Sequence, residues 1–143
     1  MYLAVYTQKM NHTICYVSKL SEGFTDQDVN EVFETTQLNN NKAGITGILL
    51  FGFGNFFQVL EGEKKQIERL FDVILDDPRH HKIETLIHHD IEFPIFASYS
   101  STFNVVKTKT DLTTIKSYLD IFNEKTPFTD KITRLINPFV HAP

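Results

Sequence analysis

Tyr16 in TICYVS, Asn40 in LNNNK, Gln58 in FFQVLEG and the Arg79-His80 pair in DDPRHHKI are the side chains whose types and settings could do chemistry. Gln58 is the most informative, because a primary amide stands among Phe56, Phe57, Val59 and Leu60. Burying an amide without a partner costs about 1–3 kcal/mol. Gln58 therefore calls for a hydrogen-bond partner, either another core group or a ligand. Tyr16 has apolar neighbours as well, and its hydroxyl needs a partner for the same reason. Arg79 and His80 follow a helix-ending proline, where a cation beside a carbonyl edge or a ring can hold a ligand. Each has a plain structural reading too: a core tyrosine, an edge or interface amide, a helix C-cap for Asn40 with Asn39 or Asn41 able to serve instead, and a solvated loop pair.

The elements that must position these groups can be read from periodicity. Thr13–Ser18 is a strand, followed by a Ser/Glu/Gly loop. Thr25 caps a helix with Asp26 and Asp28 in its first turn; Val29, Val32, Phe33 and Thr36 recur at helical spacing up to Asn39–Asn41. Ile45–Phe51 and Phe56–Glu61 pair across a turn at Gly52–Asn55, and a helix from about Glu63 carries Ile67, Leu70, Phe71 and Ile74 on one face until Asp77-Pro78. Lys82–Glu92 and Ser98–Val105 read as two more strands, and Asp111–Asn123 and Thr129–Asn137 as amphipathic helices.

The order is that of a ferredoxin-like, split βαβ α+β fold with a five-stranded mixed sheet. Two helices lie on one face, and the two C-terminal helices are expected to cover the other. This divides the chain into an N-terminal extension (1–12), a core (13–106) and a helical cap (107–143).

At 143 residues one domain suffices, and a net charge of −4 without a basic stripe argues against a nucleic-acid partner. The lone Cys15 cannot form an intramolecular disulfide and reads as a small core residue in a reducing, cytoplasmic setting. No secretory signal or membrane-spanning run is expected. Thirteen Phe and five Tyr without a Trp suggest a flat apolar site within the core.

Tyr16, Asn40 before AGITGILLF, Gln58 in FFQVLEGE, and Arg79-His80 together resemble the BLUF family of blue-light sensors using FAD, from about Thr13 to Ser100. The resemblance implies a flavin between the two helices on one sheet face, with Asn40 holding the pyrimidine edge and Gln58 bridging Tyr16 to the ring. Asn40, with one carbonyl and one amide, suits that alternating acceptor and donor edge. The resemblance also places Asn39, Arg79 and His80 near the flavin, and Thr36 is within reach one turn earlier, though a helix Thr can instead bond its own backbone. FMN or riboflavin could replace FAD. By the same resemblance, light drives an electron and a proton from Tyr16 to the flavin, Gln58 rotates or tautomerises, and absorption shifts to the red.

The chain departs from the family at FPIFASYS, where Phe96 stands at a position commonly Trp and Ser98 at one commonly Met, both tied to signal output. Phe lacks the indole N–H, so no such donor competes for Gln58. Output is expected through contact with a downstream protein, with self-association into a homo-oligomer, and not through enzymatic activity. An acylphosphatase-like hydrolase would need a phosphate-cradling Arg where Lys19–Gly23 stands. A metal site from His80, His81, His88 and His89 is disfavoured because adjacent strand residues point to opposite faces. The remaining alternative is a flavin-free adaptor of the same fold.

Overall fold

Ladder pairing with two neighbouring strands carries the first strand beyond its central run, through the polar Asn11, His12 and Lys19. In a computed structural model, which describes residues 10–122 and 127–141, β1 covers Asn11–Leu20. The proposed extension up to residue 9, Asn123 at the expected end of the third helix, and the cap residues 124–126 and 142–143 lie outside the described residues. Helix α1 (Asp26–Lys42) starts after Thr25, whose N–H donates to the Asp28 carboxylate at 2.7 Å. Strands β2 (Thr46–Gly52) and β3 (Asn55–Glu63) form a hairpin. Its turn residues Phe53 and Gly54 both have positive φ, 54° and 76°, the combination that matches the twist of the flanking strands. Helix α2 (Lys64–Leu75) is capped by the Glu63 carboxylate, which accepts the Gln66 N–H at 2.8 Å. It ends ahead of Pro78, whose ring disfavours helical geometry in the residue before it. Strands β4 (His80–Ile91) and β5 (Asn104–Val106) and helices α3 (Lys109–Ile121) and α4 (Pro127–Ile136) complete the order.

The sheet runs β4-β1-β3-β2-β5, antiparallel except for the parallel β2–β5 pair. This is the ferredoxin-like arrangement with an added edge strand. Because side chains alternate across a strand, two apolar layers form. On one face Ile14, Leu49, Phe56 and Leu60 meet Val29 and Phe33 of α1 and Ile67 and Phe71 of α2. On the other, Cys15, Ile48, Phe57 and Val59 meet Leu112, Ile115 and Leu119 of α3 and Ile132 and Ile136 of α4. The C-terminal helices thus cover the second face, and Cys15 is a core residue with its thiol pushed up to about 12 by burial.

The fifth strand is shorter than the periodicity of SYSSTFNVV suggests. Phe96–Ser98 forms a 3-10 turn instead, and the Ser100 side chain accepts the Thr102 N–H at 3.2 Å and bonds the Thr102 hydroxyl at 2.9 Å. Such local bonds compete with a ladder, so pairing begins only at Asn104.

Candidate functional site

Tyr16 on β1, Gln58 on β3 and Leu49 on β2 are direct cross-strand neighbours, so their side chains stand in one row on the α1/α2 face. The Gln58 Nε2 donates to the Tyr16 hydroxyl at 2.7 Å, both residues being almost fully buried. Burial holds the Tyr16 phenol well above its ordinary value, outweighing the Gln58 bond that lowers it. The phenol is therefore neutral.

This row floors a cavity of about 240 Å³ between α1 and α2. The two helix stripes expected from sequence divide here. Val29, Phe33, Ile67 and Phe71 go into the core, while Val32, Thr36, Leu70 and Ile74 line the cavity. Phe56, Thr35, Val73 and Asp77 line it too, and Phe56 and Val73 could have been anticipated from the alternation of β3 and the apolar positions of α2.

Asn39 and Asn40 both line the cavity, and Asn40 is only 3% exposed. The backbone carbonyl of Asn40 accepts the Ile45 N–H at 2.9 Å, but its side-chain Nδ2 has no partner. The Gln58 Oε1 is likewise buried and unpartnered. Two residues that line one cavity thus each carry an orphaned amide atom, at a cost of about 1–3 kcal/mol apiece, and a ligand that presents an acceptor and a donor would satisfy both. The neighbouring Asn41 turns elsewhere, its Oδ1 accepting the Phe103 N–H at 2.6 Å.

Arg79 and His80 border the cavity, but Nε and Nη2 of Arg79 and both ring nitrogens of His80 are engaged within the protein. The Arg79 Nε and Nη2 fork onto Asp77, at 3.0 and 2.6 Å for the shortest contact of each, which holds the Asp77 carboxyl below the usual range. The His80 Nε2 is 2.7 Å from the Ile74 carbonyl and so donates to it. Nδ1, 2.7 Å from the Ser18 hydroxyl, accepts. His80 thereby ties the end of α2 to β1, its ring steeply inclined to that of Tyr16 at 6.0 Å.

Phe96 and Ser98 are not brought to the cavity. Phe96 is fully buried in the layer under α3 and α4, and Ser98 is exposed. What holds their segment is Glu61, which sequence reading placed in the motif without a role. Its buried carboxylate accepts the Ile95 N–H, the Phe96 N–H at 2.8 Å and the Thr46 hydroxyl at 3.1 Å. Tyr118 of α3 donates its hydroxyl to the Ile95 carbonyl. The signal that singled out Gln58, a polar residue in an apolar strand, applies equally to Glu61.

Burial pushes the Glu61 carboxyl up to about 7, outweighing the bonds from Phe96, Ile95 and Thr46 that lower it. A carboxyl raised in the folded state stabilises fully below its unfolded value of about 4.5 and loses that contribution as pH rises through about 7. The thermal midpoint of the wild-type chain is expected to fall between about pH 5 and pH 8 by the equivalent of on the order of 3 kcal/mol. Glu61→Gln should flatten that slope. A slope equal in the two proteins would remove Glu61 as its source.

Residues 12–102 match the model of the BLUF family, described as sensors of blue-light using FAD. The chain belongs to the BLUF family. It is 33% identical over 75 residues to the blue light- and temperature-regulated antirepressor BluF of Escherichia coli K12, a match covering 52% of this chain and 19% of that protein. Against the beta subunit of the photoactivated adenylate cyclase of Euglena longa it is 34% identical over 74 residues, covering 52% of this chain and 9% of that protein. The chain thus spans a small part of the curated relatives it matches. BlsA in its photo-activated state is similar over nearly its whole length, with a TM-score of 0.66, 30% identity, and coverage of 94% of this chain and 97% of that one. BLUF domains are blue-light sensing modules that use flavin. Among the described residues, no helix is long and apolar enough to cross a membrane.

Proposed function

We propose that this BLUF chain is a photoreceptor that holds FAD non-covalently in the cavity between α1 and α2. The carrying observation is the pair of unpartnered buried atoms, Asn40 Nδ2 and Gln58 Oε1, in two residues that line a cavity together with Tyr16. A flavin-free adaptor would leave both atoms orphaned. FMN and riboflavin are expected substitutes, because the polar groups that would grip the ligand address a ring edge.

Bound flavin supplies, on absorbing blue light, an oxidant for a nearby phenol. Tyr16 is the proposed electron and proton donor. It is a neutral phenol in the dark, and its oxygen serves as the acceptor that orients Gln58. Rotation or tautomerisation of the Gln58 carboxamide would change which end faces Tyr16 and which faces the cavity. The exchange trades one hydrogen bond for another, a net change of about 1 kcal/mol, so the lit arrangement persists only behind a barrier. Return in seconds corresponds to a barrier of about 17–18 kcal/mol.

Output by protein contact is the reading that suits the layout. Three residues beyond Gln58, Glu61 grips the Ile95-Phe96 backbone, and Tyr118 links that backbone to α3. A shift of β3 would thus be felt at the α3/α4 surface, where Ile121 is 74% exposed. A downstream protein and a second copy of the chain are the proposed partners.

FAD titration of the apo-protein, followed by quenching of flavin fluorescence, tests the site. The wild-type chain is expected to take up one FAD, and Asn40→Ala to bind it about tenfold more weakly, as loss of one buried hydrogen bond implies. No uptake by the wild type would favour the adaptor, and equal affinities would remove Asn40 from the site.

A further inference from the structure

Four residues along β1 from Tyr16, His12 is 4% exposed and its ring is held by one hydrogen bond. Its Nδ1 lies 2.7 Å from an Asp90 carboxylate oxygen, so Nδ1 donates. The Nε2 lone pair is buried and has no partner. Glu68 of α2 and His88 of β4 stand beside it, and the ligand atoms of the three residues lie within 4.8 Å of one another. The His12 and His88 rings meet edge to face at 4.8 Å. The Glu68 Oε2 and His88 Nε2 are 3.7 Å apart, too far for a hydrogen bond.

We propose that His12, Glu68 and His88 form a site for a divalent first-row transition metal, with zinc as the expected occupant. Two imidazoles and a carboxylate are a donor set suited to zinc, and three protein ligands leave a fourth position for water. Bonds of about 2.0–2.1 Å in a tetrahedron put ligand atoms about 3.4 Å apart. The Glu68–His88 separation is close to that already. Both side chains are more than two-fifths exposed, which gives them freedom to close on His12 and gives the ion an entry path. Asp90 completes the arrangement as the carboxylate behind a metal-binding histidine, fixing the Nδ1–H tautomer that frees Nε2. Lys64 Nζ, 3.6 Å from the same Asp90 oxygen, adds a positive charge beside that carboxylate. The histidine cluster considered from sequence fails because neighbours on one strand diverge. The fold instead brings His88 together with His12 from the adjacent strand and with a helix above both.

The test is zinc chloride titration of the full chain, free of any histidine tag and stripped with a chelator, in competition with a chromogenic chelator. The wild type should bind one zinc per chain and unfold at a higher temperature with it. Cobalt(II) in the same site should give the intense visible bands of tetrahedral coordination. Glu68→Gln and His88→Ala alter partly exposed side chains and should keep the circular dichroism spectrum while losing the bound ion. Asp90→Asn, a positioning change, should weaken zinc by about 10–100-fold. Failure of the wild type to bind zinc, or affinities unchanged in both Glu68→Gln and His88→Ala, would overturn the site.

Discussion

Gln58→Leu is expected to abolish the light-induced red shift while leaving the chain folded and able to take up FAD. Leucine fills a similar volume on the cavity floor, so the packing with Leu49 and Phe56 survives. The substitution removes the bond to Tyr16, at a cost of about 1–3 kcal/mol for the hydroxyl left without its partner. It also removes the orphaned Oε1, a saving of similar size, so the net stability change should be small. The spectral effect should be total, because leucine has neither a donor nor an acceptor to exchange. Tyr16→Phe should lose the shift by another route, keeping the ring that packs at 5.7 Å from Phe71 and deleting the phenol. A light-induced shift retained by either variant would contradict the exchange.

Gly47→Ala should have the largest effect on stability. Gly47 sits within β2 at φ +140°, and an added Cβ would lie 1.9 Å from the Val59 carbonyl oxygen, 2.9 Å from its carbon and 3.2 Å from the Phe103 ring. The first two atoms belong to the backbone of β3 and cannot move without shifting the strand that carries Gln58. Destabilisation of about 4 kcal/mol or more is expected, with loss of FAD uptake at ordinary temperature. Gly62→Ala is the matched control. Its Cβ would meet side-chain atoms only, the nearest being the terminal methyl of Ile67 at 3.3 Å, and a cost of about 1 kcal/mol is expected. Chemical denaturation of the two variants would settle the comparison, and equal costs would contradict the backbone clash.

Gln58 and Tyr16 could be found from sequence because a polar group in an apolar strand must be satisfied, and because the ferredoxin-like order makes β1 and β3 neighbours. The same order foretold the layer of C-terminal helices. Other features depend on where distant segments come to rest. The motif placed Asn40 at the ligand, but nothing local to Asn41 says that its side chain will hold the Phe103 backbone 62 residues away. Phe96 marked a departure from the family pattern, but its burial on the face away from the cavity needed the Glu61 bonds to be seen. The late start of β5 reflects competition from Ser100 and Thr102, which hydrophobic alternation does not register. His12 gave no sign in sequence, since its companions Glu68 and His88 come from α2 and β4.

The most direct test of the switch is a light-minus-dark absorption spectrum of the FAD-loaded wild-type chain, followed through recovery in the dark. A red-shifted flavin band that decays back to the starting spectrum is the result expected if Tyr16 and Gln58 trade hydrogen bonds at the ring. A bound flavin whose spectrum is unchanged by blue light would contradict it.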